Sequence, residues 1–334
     1  MGTPGQREWT SIRVWAGCLS LGAVAVVLRG VGELVPPDQT WGHVAHSICL
    51  MSPRWLALLT PLVCLRVAWG SGRRVVPVLV GLVSLPLAGI PYWDSATPGT
   101  RILVANVNAY TGQTEGLGAA VAALQPDVFI QIEARARTIP GMRALEHTID
   151  RPMPRPSHAT AIFCRPEVDC ESLVTEEIGS STKTMPIGLV RVAGTFCLIG
   201  LHGPPPVPLD PSGLQPYMDL VADHIQEGRL VRPWGPCRTG DPVVVAGDMN
   251  AVPGSWAARA LDGRGLRDHF GSMGIFAISW PVGGDTLFFP TLQLDHLFAG
   301  PLTVDGVALV SLPGADHRGV MARISAGTPA APSR

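Results

Sequence analysis

Lysine is almost absent from this chain of 334 residues, since Lys183 is the only one. Residues 94–334 carry 18 basic and 23 acidic side chains, a net charge of −5. Neutralising the phosphates of a nucleic-acid duplex requires a cluster of Lys and Arg, and no obvious cluster occurs here. The composition therefore argues against a stable nucleic-acid partner.

The seven cysteines include no CxxC pair, so a structural zinc site is not predicted. Cys164 and Cys170 bracket a short polar segment that reads as a hairpin tip, and a disulfide could close it in an oxidising compartment. Free buried thiols are the alternative, because spacing alone does not decide between them.

Charged residues are scarce before residue 93, where only ten occur. The apolar segments there predict a membrane anchor over residues 1–97 with transmembrane helices at about 14–31, 55–70 and 75–93. A cleaved signal peptide is the alternative for the first segment, but no small-x-small cleavage site follows it. A buried, soluble helical domain is the alternative for the whole region.

Arginines flank these segments unevenly. Arg7 and Arg13 precede the first one, while Arg66, Arg73 and Arg74 lie at the turn between the second and third. The positive-inside rule places both groups of arginines in the cytoplasm, so three crossings would put the following domain outside the cell membrane. If one segment only lies in the interface, the orientation reverses.

Residues 98–326 alternate between short apolar runs, helical patterns and Pro/Gly-rich loops, which is typical of a mixed α/β sandwich. Two amphipathic helices, Glu115–Leu124 and Tyr217–Gln226, are predicted, and a third is capped by Ser255. Residues 327–334 are expected to be a disordered tail. The predicted strands are Ile102–Val107, Val128–Ile132, Ala159–Cys164, Gly188–Val192, Phe196–Leu201, Pro242–Ala246, Leu294–Phe298, Val307–Leu312 and Val320–Ile324.

The most informative string is an apolar strand that runs into Gly247-Asp248-Met249-Asn250. Side chains alternate along a strand, so Asp248 and Asn250 would point to the same side. A turn in which both side chains bond the backbone is the alternative. Polar residues also end several other apolar strands, which predicts one shared cleft: Asn106, Glu133, His202, Asp295, and Asp316 with His317.

This ordered set of motifs resembles the endonuclease/exonuclease/phosphatase family, over essentially all of residues 98–326. The resemblance implies a four-layer α/β sandwich, in which two packed mixed sheets are flanked by helices, here preceded by the transmembrane region. It also implies a metal-dependent phosphoric ester hydrolase with Mg²⁺ or Mn²⁺ as cofactor. The implied metal ligands are Asn106, Glu133 and Asp316.

The resemblance assigns catalytic roles to five residues. Asp248 would orient or deprotonate the attacking water, and Asn250 would hold a phosphate oxygen. His317, paired with Asp295, would stabilise negative charge or pass a proton, with His202 acting from the other side of the phosphate. Two departures stand out: Ile132 replaces the Gln that many relatives carry, which predicts the loss of a supporting hydrogen bond, and Asn108 replaces an acid, which leaves a second metal site open.

The anchor and the acidic domain favour a lipid-linked, phosphorylated substrate at the outer face of the cell membrane. The overall layout is similar to that of membrane-anchored bacterial members of the family that resemble the teicoplanin-resistance protein VanJ, which implies a role in the cell envelope and in glycopeptide resistance. Two alternatives stay open. One is a membrane-tethered extracellular nuclease, and the other is a non-catalytic, membrane-bound binding protein.

Overall fold

The computed structural model describes residues 98–107, 116–133, 146–147, 160–180, 183–204, 218–223, 237, 241–270, 279–280 and 292–325. All of them belong to one compact unit of the chain. The three predicted spans and the tail 327–334 lie outside these residues. Among the described residues, no helix is long and apolar enough to span a membrane.

Short strands dominate the described ranges. They are β1 Thr100–Asn106, β2 Val128–Ile132, β3 Glu146–His147, β4 Thr160–Cys164, β5 Cys170–Ser180, β6 Lys183–Val192, β7 Phe196–His202, β8 Val243–Asp248, β9 Arg267–Asp268, β10 Asp295–Gly300, β11 Thr303–Val310 and β12 Gly319–Ser325. Helix α1 spans Leu117–Leu124 and helix α2 spans Trp256–Asp262, and residues 218–223 are also helical.

The strands form two sheets of six, in the orders β11-β12-β1-β2-β4-β3 and β5-β6-β7-β8-β10-β9. Each sheet contains one parallel pair, β1 with β2 and β7 with β8, and its other pairs are antiparallel. Both sheets are therefore mixed, as the family resemblance implied.

The two sheets pack face to face, with contacts between β1 and β8 and between β4 and β7. A Cβ added to Gly200 of β7 would lie 2.9 Å from Ile130 Cγ2 and 3.4 Å from Ile162 Cδ1 across this interface, so Ile130 would have to shift. The outer face of the first sheet buries Leu117 and Val121 of α1. The outer face of the second sheet packs against α2 and residues 218–223.

Most predicted strands are found within one or two residues of their predicted bounds. The Ser255 cap is also confirmed, since its Oγ accepts a hydrogen bond from the Ala258 amide at 3.3 Å. A disulfide joins Cys164 to Cys170, and a second one that the sequence did not indicate joins Cys197 to Cys237. The long strand β5 was missed, and β6 begins earlier than predicted.

Candidate active site

The polar residues predicted to share a cleft lie at one edge of the paired sheets. Parallel strands β1 and β2 end at Asn106 and immediately before Glu133, and parallel strands β7 and β8 end at His202 and Asp248. Carboxyl ends of parallel strands meet at the same edge of a sheet, which is where open α/β folds bind ligands. Antiparallel β10 begins at this edge, because Asp295 pairs with Asp248.

Asn106 connects the two sheets. Its Nδ2 donates to Asp248 Oδ2 at 3.0 Å and to Glu133 Oε1 at 3.3 Å. His202 approaches the same carboxylates, with its Nε2 3.7 Å from Glu133 Oε1 and 3.9 Å from Asp248 Oδ2. Side chains from the ends of four strands therefore converge on one point between the sheets.

The Gly-Asp-x-Asn string forms a turn that also contributes to the cleft. The Asn250 amide donates to Asp248 Oδ1 at 2.8 Å, as the turn interpretation requires. The Asn250 side chain turns to the β7 end, where Nδ2 donates to the Gly203 carbonyl at 2.8 Å and lies 3.3 Å from His202 Nε2. Asn250 adopts φ 50°, a left-handed conformation that Asn tolerates better than most residues. The turn interpretation and the cleft interpretation are therefore both correct, because one turn places Asp248 and Asn250 in the cleft.

His317 and Asp295 form the predicted pair. His317 Nδ1 lies 2.8 Å from Asp295 Oδ2, and its Nε2 lies 3.7 Å from Asp248 Oδ2. Ser279 Oγ accepts from the Asp295 amide at 3.3 Å and so holds the start of β10. Burial raises the pKa of Asp295 and opposes charge on His317, but the Asp295 and Asp248 carboxylates raise the pKa of His317 to about 10. The proton therefore stays on His317 at neutral pH.

The arrangement fits a divalent cation beside Glu133. Burial raises the pKa of Glu133, and the nearby carboxylates of Asp248 and Asp316 raise it further. Among the described residues, Asp316 Oδ1 is a buried oxygen without a hydrogen-bond partner. Crowded carboxylate oxygens of this kind are the hard ligands that Mg²⁺ prefers, and a cation would offset their repulsion.

A second group has the spacing of metal ligands, because atoms of Asp248, Asp295 and His317 all lie within 4.8 Å of one another. His317 Nδ1 lies against Asp295 Oδ2 at 2.8 Å and its Nε2 faces Asp248 Oδ2 at 3.7 Å, so the imidazole is paired with both carboxylates. The same three side chains offer a second set of ligand atoms for a cation.

The structure thus joins seven of the eight predicted site residues through hydrogen bonds or close ion pairs, and Asp316 reaches them through its charge. Ile132 is buried and offers Glu133 no hydrogen bond, although Asn106 does. Asn108 lies outside the described residues. The sequence did not assign roles to Ser279, to the Gly203 carbonyl or to the pair formed by buried His296 and partly buried Asp268.

Carboxylates beside an amide, two histidines and a candidate cation site are suited to a metal-dependent phosphoric ester hydrolase. Comparison with family models agrees, because the model described as the endonuclease/exonuclease/phosphatase family matches residues 103–325. The chain belongs to this family, whose members are metal-dependent phosphodiesterases and phosphatases. The resemblance seen in the motifs is therefore confirmed at the level of the family.

Solved structures share this fold at low sequence identity. The human nocturnin catalytic domain with bound sulfate is 14% identical, with a TM-score of 0.51, covering 70% of this chain and 97% of that chain. TDP2 from Caenorhabditis elegans is 16% identical, with a TM-score of 0.50, covering 78% and 83%. The Bacteroides thetaiotaomicron mannosyl-6-phosphatase is 14% identical, with a TM-score of 0.47, covering 68% and 99%. A search of the curated proteins found no match.

Proposed function

We propose that this protein is a membrane-anchored, Mg²⁺-dependent phosphoesterase that hydrolyses a lipid-linked phosphate or pyrophosphate at the outer face of the cell membrane. The observation that carries the hydrolytic part is the position of Asp248 between Asn106 and the His317–Asp295 pair. A carboxylate held by directional hydrogen bonds beside a charged imidazole suits the activation of water next to a phosphate.

Glu133, Asp316 and Asn106 would hold the cation, Mg²⁺ or Mn²⁺, through their side-chain oxygens. When bound, a divalent cation supplies positive charge that polarises a phosphoryl oxygen. Asn106 has a second task, because its amide donates to both Glu133 and Asp248 and fixes the two carboxylates relative to each other.

Asp248 would orient and deprotonate the attacking water. Its Oδ1 already accepts from the Asn250 amide, which restricts rotation of the carboxylate. Asn250 and His202, 3.3 Å apart, would donate to phosphate oxygens from one side of the cleft. His317, kept charged by Asp295, would stabilise negative charge on the other side or give a proton to the leaving group.

Two features support a location outside the cytoplasm. Two disulfides, Cys164–Cys170 and Cys197–Cys237, lie in one domain, and structural disulfides persist in oxidising compartments. The three apolar segments before residue 94 and the arginines that flank them give the same orientation by the positive-inside rule. Together they favour a multi-pass anchor with an extracytoplasmic catalytic domain.

The choice of a lipid-linked substrate follows from charge and tethering. Residues 94–334 are acidic and include one lysine, which disfavours a long polyanion such as DNA. An anchored site meets headgroups of the outer leaflet directly. The layout of the chain is similar to that of membrane-anchored bacterial members of the family that resemble VanJ. On this basis the proposal includes a role in the cell envelope and a contribution to teicoplanin resistance.

The test is phosphate release from undecaprenyl pyrophosphate by the detergent-purified full chain, with Mg²⁺ or with EDTA. Asp248→Ala is compared with Asp223→Ala, which removes a surface carboxylate that pairs with Arg264. We expect release that requires Mg²⁺, is unaffected in Asp223→Ala and falls by at least about 10²-fold in Asp248→Ala.

Plasmid DNA serves as the second substrate in the same assay. DNA cleavage without phosphate release would replace the lipid proposal with a tethered nuclease. Mg²⁺ binding without turnover of any phosphoester would instead favour a non-catalytic binding protein.

A further inference from the structure

His296 lies next to Asp295 but on the opposite face of the second sheet. Side chains alternate along β10, so Asp295 faces the cleft while His296 faces outwards. His296 pairs with Gly247 of β8, is fully buried and stacks on Phe298 with ring centroids 5.7 Å apart. A buried histidine in this position needs a partner for each ring nitrogen.

Both ring nitrogens meet acceptors. His296 Nε2 lies 2.6 Å from the Ala251 carbonyl oxygen, and Nδ1 lies 2.8 Å from Asp268 Oδ2. A carbonyl can only accept, so Nε2 must carry a proton and donate it. Burial lowers the pKa of His296, but the Asp268 carboxylate outweighs this effect, so the pKa is raised. Nδ1, which faces that carboxylate, therefore carries a proton as well.

Asp268 is itself held in place. Its Oδ1 accepts from the Phe270 amide at 3.1 Å, and its Oδ2 is 3.4 Å from Gln293 Nε2. The orientation of the His296 ring is therefore fixed by a carboxylate that cannot rotate freely. This leaves Nε2 aimed at one point of the neighbouring backbone, the Ala251 carbonyl.

That point directly follows Asn250. The segment 248–251 is tied to the β10 region twice, because the Met249 amide also donates to the Leu294 carbonyl at 2.9 Å. Asn250 sits between these two ties in a left-handed conformation with φ 50°. A residue in this conformation persists only where its surroundings determine it.

We propose that His296 is a positioning residue: from the outer face of the sheet, it holds the Ala251 carbonyl and thereby sets the backbone that aims Asn250 and Asp248 into the cleft. This inference rests on the hydrolytic roles proposed above for Asn250 and Asp248. The His296–Asp268 pair would thus contribute to catalysis without contacting the substrate.

The kinetic test is a double-mutant cycle on the full chain in detergent, with bis(p-nitrophenyl) phosphate and Mg²⁺. We expect His296→Leu to lower kcat about 10- to 100-fold with little change in KM. In an Asn250→Ala background, His296→Leu should lower kcat much less, since the side chain that His296 positions is already gone. His269→Leu is the control, because it removes the neighbouring half-buried imidazole, which interacts with Asp268 through charge, and leaves the contacts of His296 with Asp268 and the Ala251 carbonyl in place.

A second readout does not depend on turnover. The chain has three asparagines, Asn106, Asn108 and Asn250, so labelling with ¹⁵N-asparagine gives three backbone amide signals. We expect His296→Leu to shift the Asn250 signal strongly and His269→Leu to leave it in place. If His296→Leu fails to fold, Asp268→Asn takes its place, with a smaller shift of Asn250 expected.

The outcomes separate the two proposals. A shifted Asn250 signal in a protein that hydrolyses no phosphoester would support the positioning role and contradict the proposed function. An unshifted Asn250 signal would overturn the positioning role, and so would additive effects of His296→Leu and Asn250→Ala on kcat in an active protein.

Discussion

His317 is the residue whose charge decides what the site can do. Burial lowers its pKa, but the carboxylates of Asp295, Asp248 and Asp316 act in the opposite direction and raise it to about 10. An imidazolium that keeps its proton at neutral pH can donate to a phosphate or a leaving group. It cannot act as the base, a role that the proposed function gives to Asp248.

Replacing Asp295 by Asn tests this assignment. The amide oxygen can still accept from His317 Nδ1, but the negative charge that raises the pKa of His317 is lost. We expect the alkaline limb of the activity profile to move to lower pH, because His317 loses its proton earlier. At neutral pH, kcat should fall by about 10² or more.

The measurement is kcat against pH for bis(p-nitrophenyl) phosphate, with wild type and Asp223→Asn as references. Asp223 pairs with Arg264 on the surface, so its variant should keep the wild-type profile. An alkaline limb that stays in place in Asp295→Asn would show that His317 does not depend on this carboxylate.

Residues of the site were predictable where an apolar strand ends in a polar side chain. Asn106, Glu133, His202 and Asp248 follow this rule, and the alternation of side chains explains why Asp248 faces the cleft. Asp268 could not be found in this way, because it lies in a strand of two residues that has no pattern of its own. Its partner His296 was visible in the sequence, but only the pairing of β9 with β10 shows that Asp268 lies beside it.

At the scale of elements, strands β7 and β8 lie so close together that only glycine fits at position 247, just before Asp248. A Cβ built on Gly247 would lie 1.8 Å from the Leu201 carbonyl oxygen, which belongs to the backbone of the neighbouring strand. The parallel pair that carries His202 and Asp248 therefore requires glycine at this position. The first residue of the Gly-Asp-x-Asn string is structural, while its Asp and Asn face the cleft.

Gly247→Ala should consequently destabilise the domain by at least about 3 kcal/mol, or prevent folding, because neither strand can move without losing its ladder. Urea unfolding followed by circular dichroism measures the change. Gly263→Ala is the matched control, because Gly263 has φ −62° at the end of α2, and its effect should stay within about 1 kcal/mol. Equal effects of the two variants would contradict the explanation.

Strands that are buried on both faces were predicted best. Strands β2 and β7 are mostly apolar and every residue in them is buried, although Gln131 interrupts the first and His202 ends the second. Their composition is therefore enough to identify them. Strand β5 lies at a sheet edge, and its sequence contains Glu171, Glu176, Glu177 and Gly179, so it shows no apolar alternation. It is a strand because β6 pairs with it, which no local signal indicates.

For the whole molecule, the two disulfides should contribute unequally to stability. Cys197 and Cys237 are 40 residues apart, whereas Cys164 and Cys170 are 6 apart. The entropy lost by the unfolded chain grows with the closed loop, which predicts about 4 kcal/mol for the longer bridge and about 2 kcal/mol for the shorter.

Double Cys→Ala variants of each pair, compared in urea unfolding, measure these contributions. The reduced wild type is the control, because it should resemble the sum of both losses. The longer bridge was not predictable, since Cys237 lies in a region without a strand pattern. A smaller loss for the Cys197–Cys237 variant than for the Cys164–Cys170 variant would contradict the entropic explanation.

In the proposed function, a cation held by Glu133 and its neighbours drives phosphoester hydrolysis in this cleft. The most direct test is hydrolysis of bis(p-nitrophenyl) phosphate by EDTA-treated full-length protein as Mg²⁺ is added back, for wild type, Glu133→Gln and Asp223→Asn. We predict no turnover without the cation, full recovery for wild type and Asp223→Asn, and a requirement for at least about tenfold more Mg²⁺ in Glu133→Gln. Turnover that survives EDTA, or a Glu133→Gln variant with the wild-type Mg²⁺ requirement, would contradict the account.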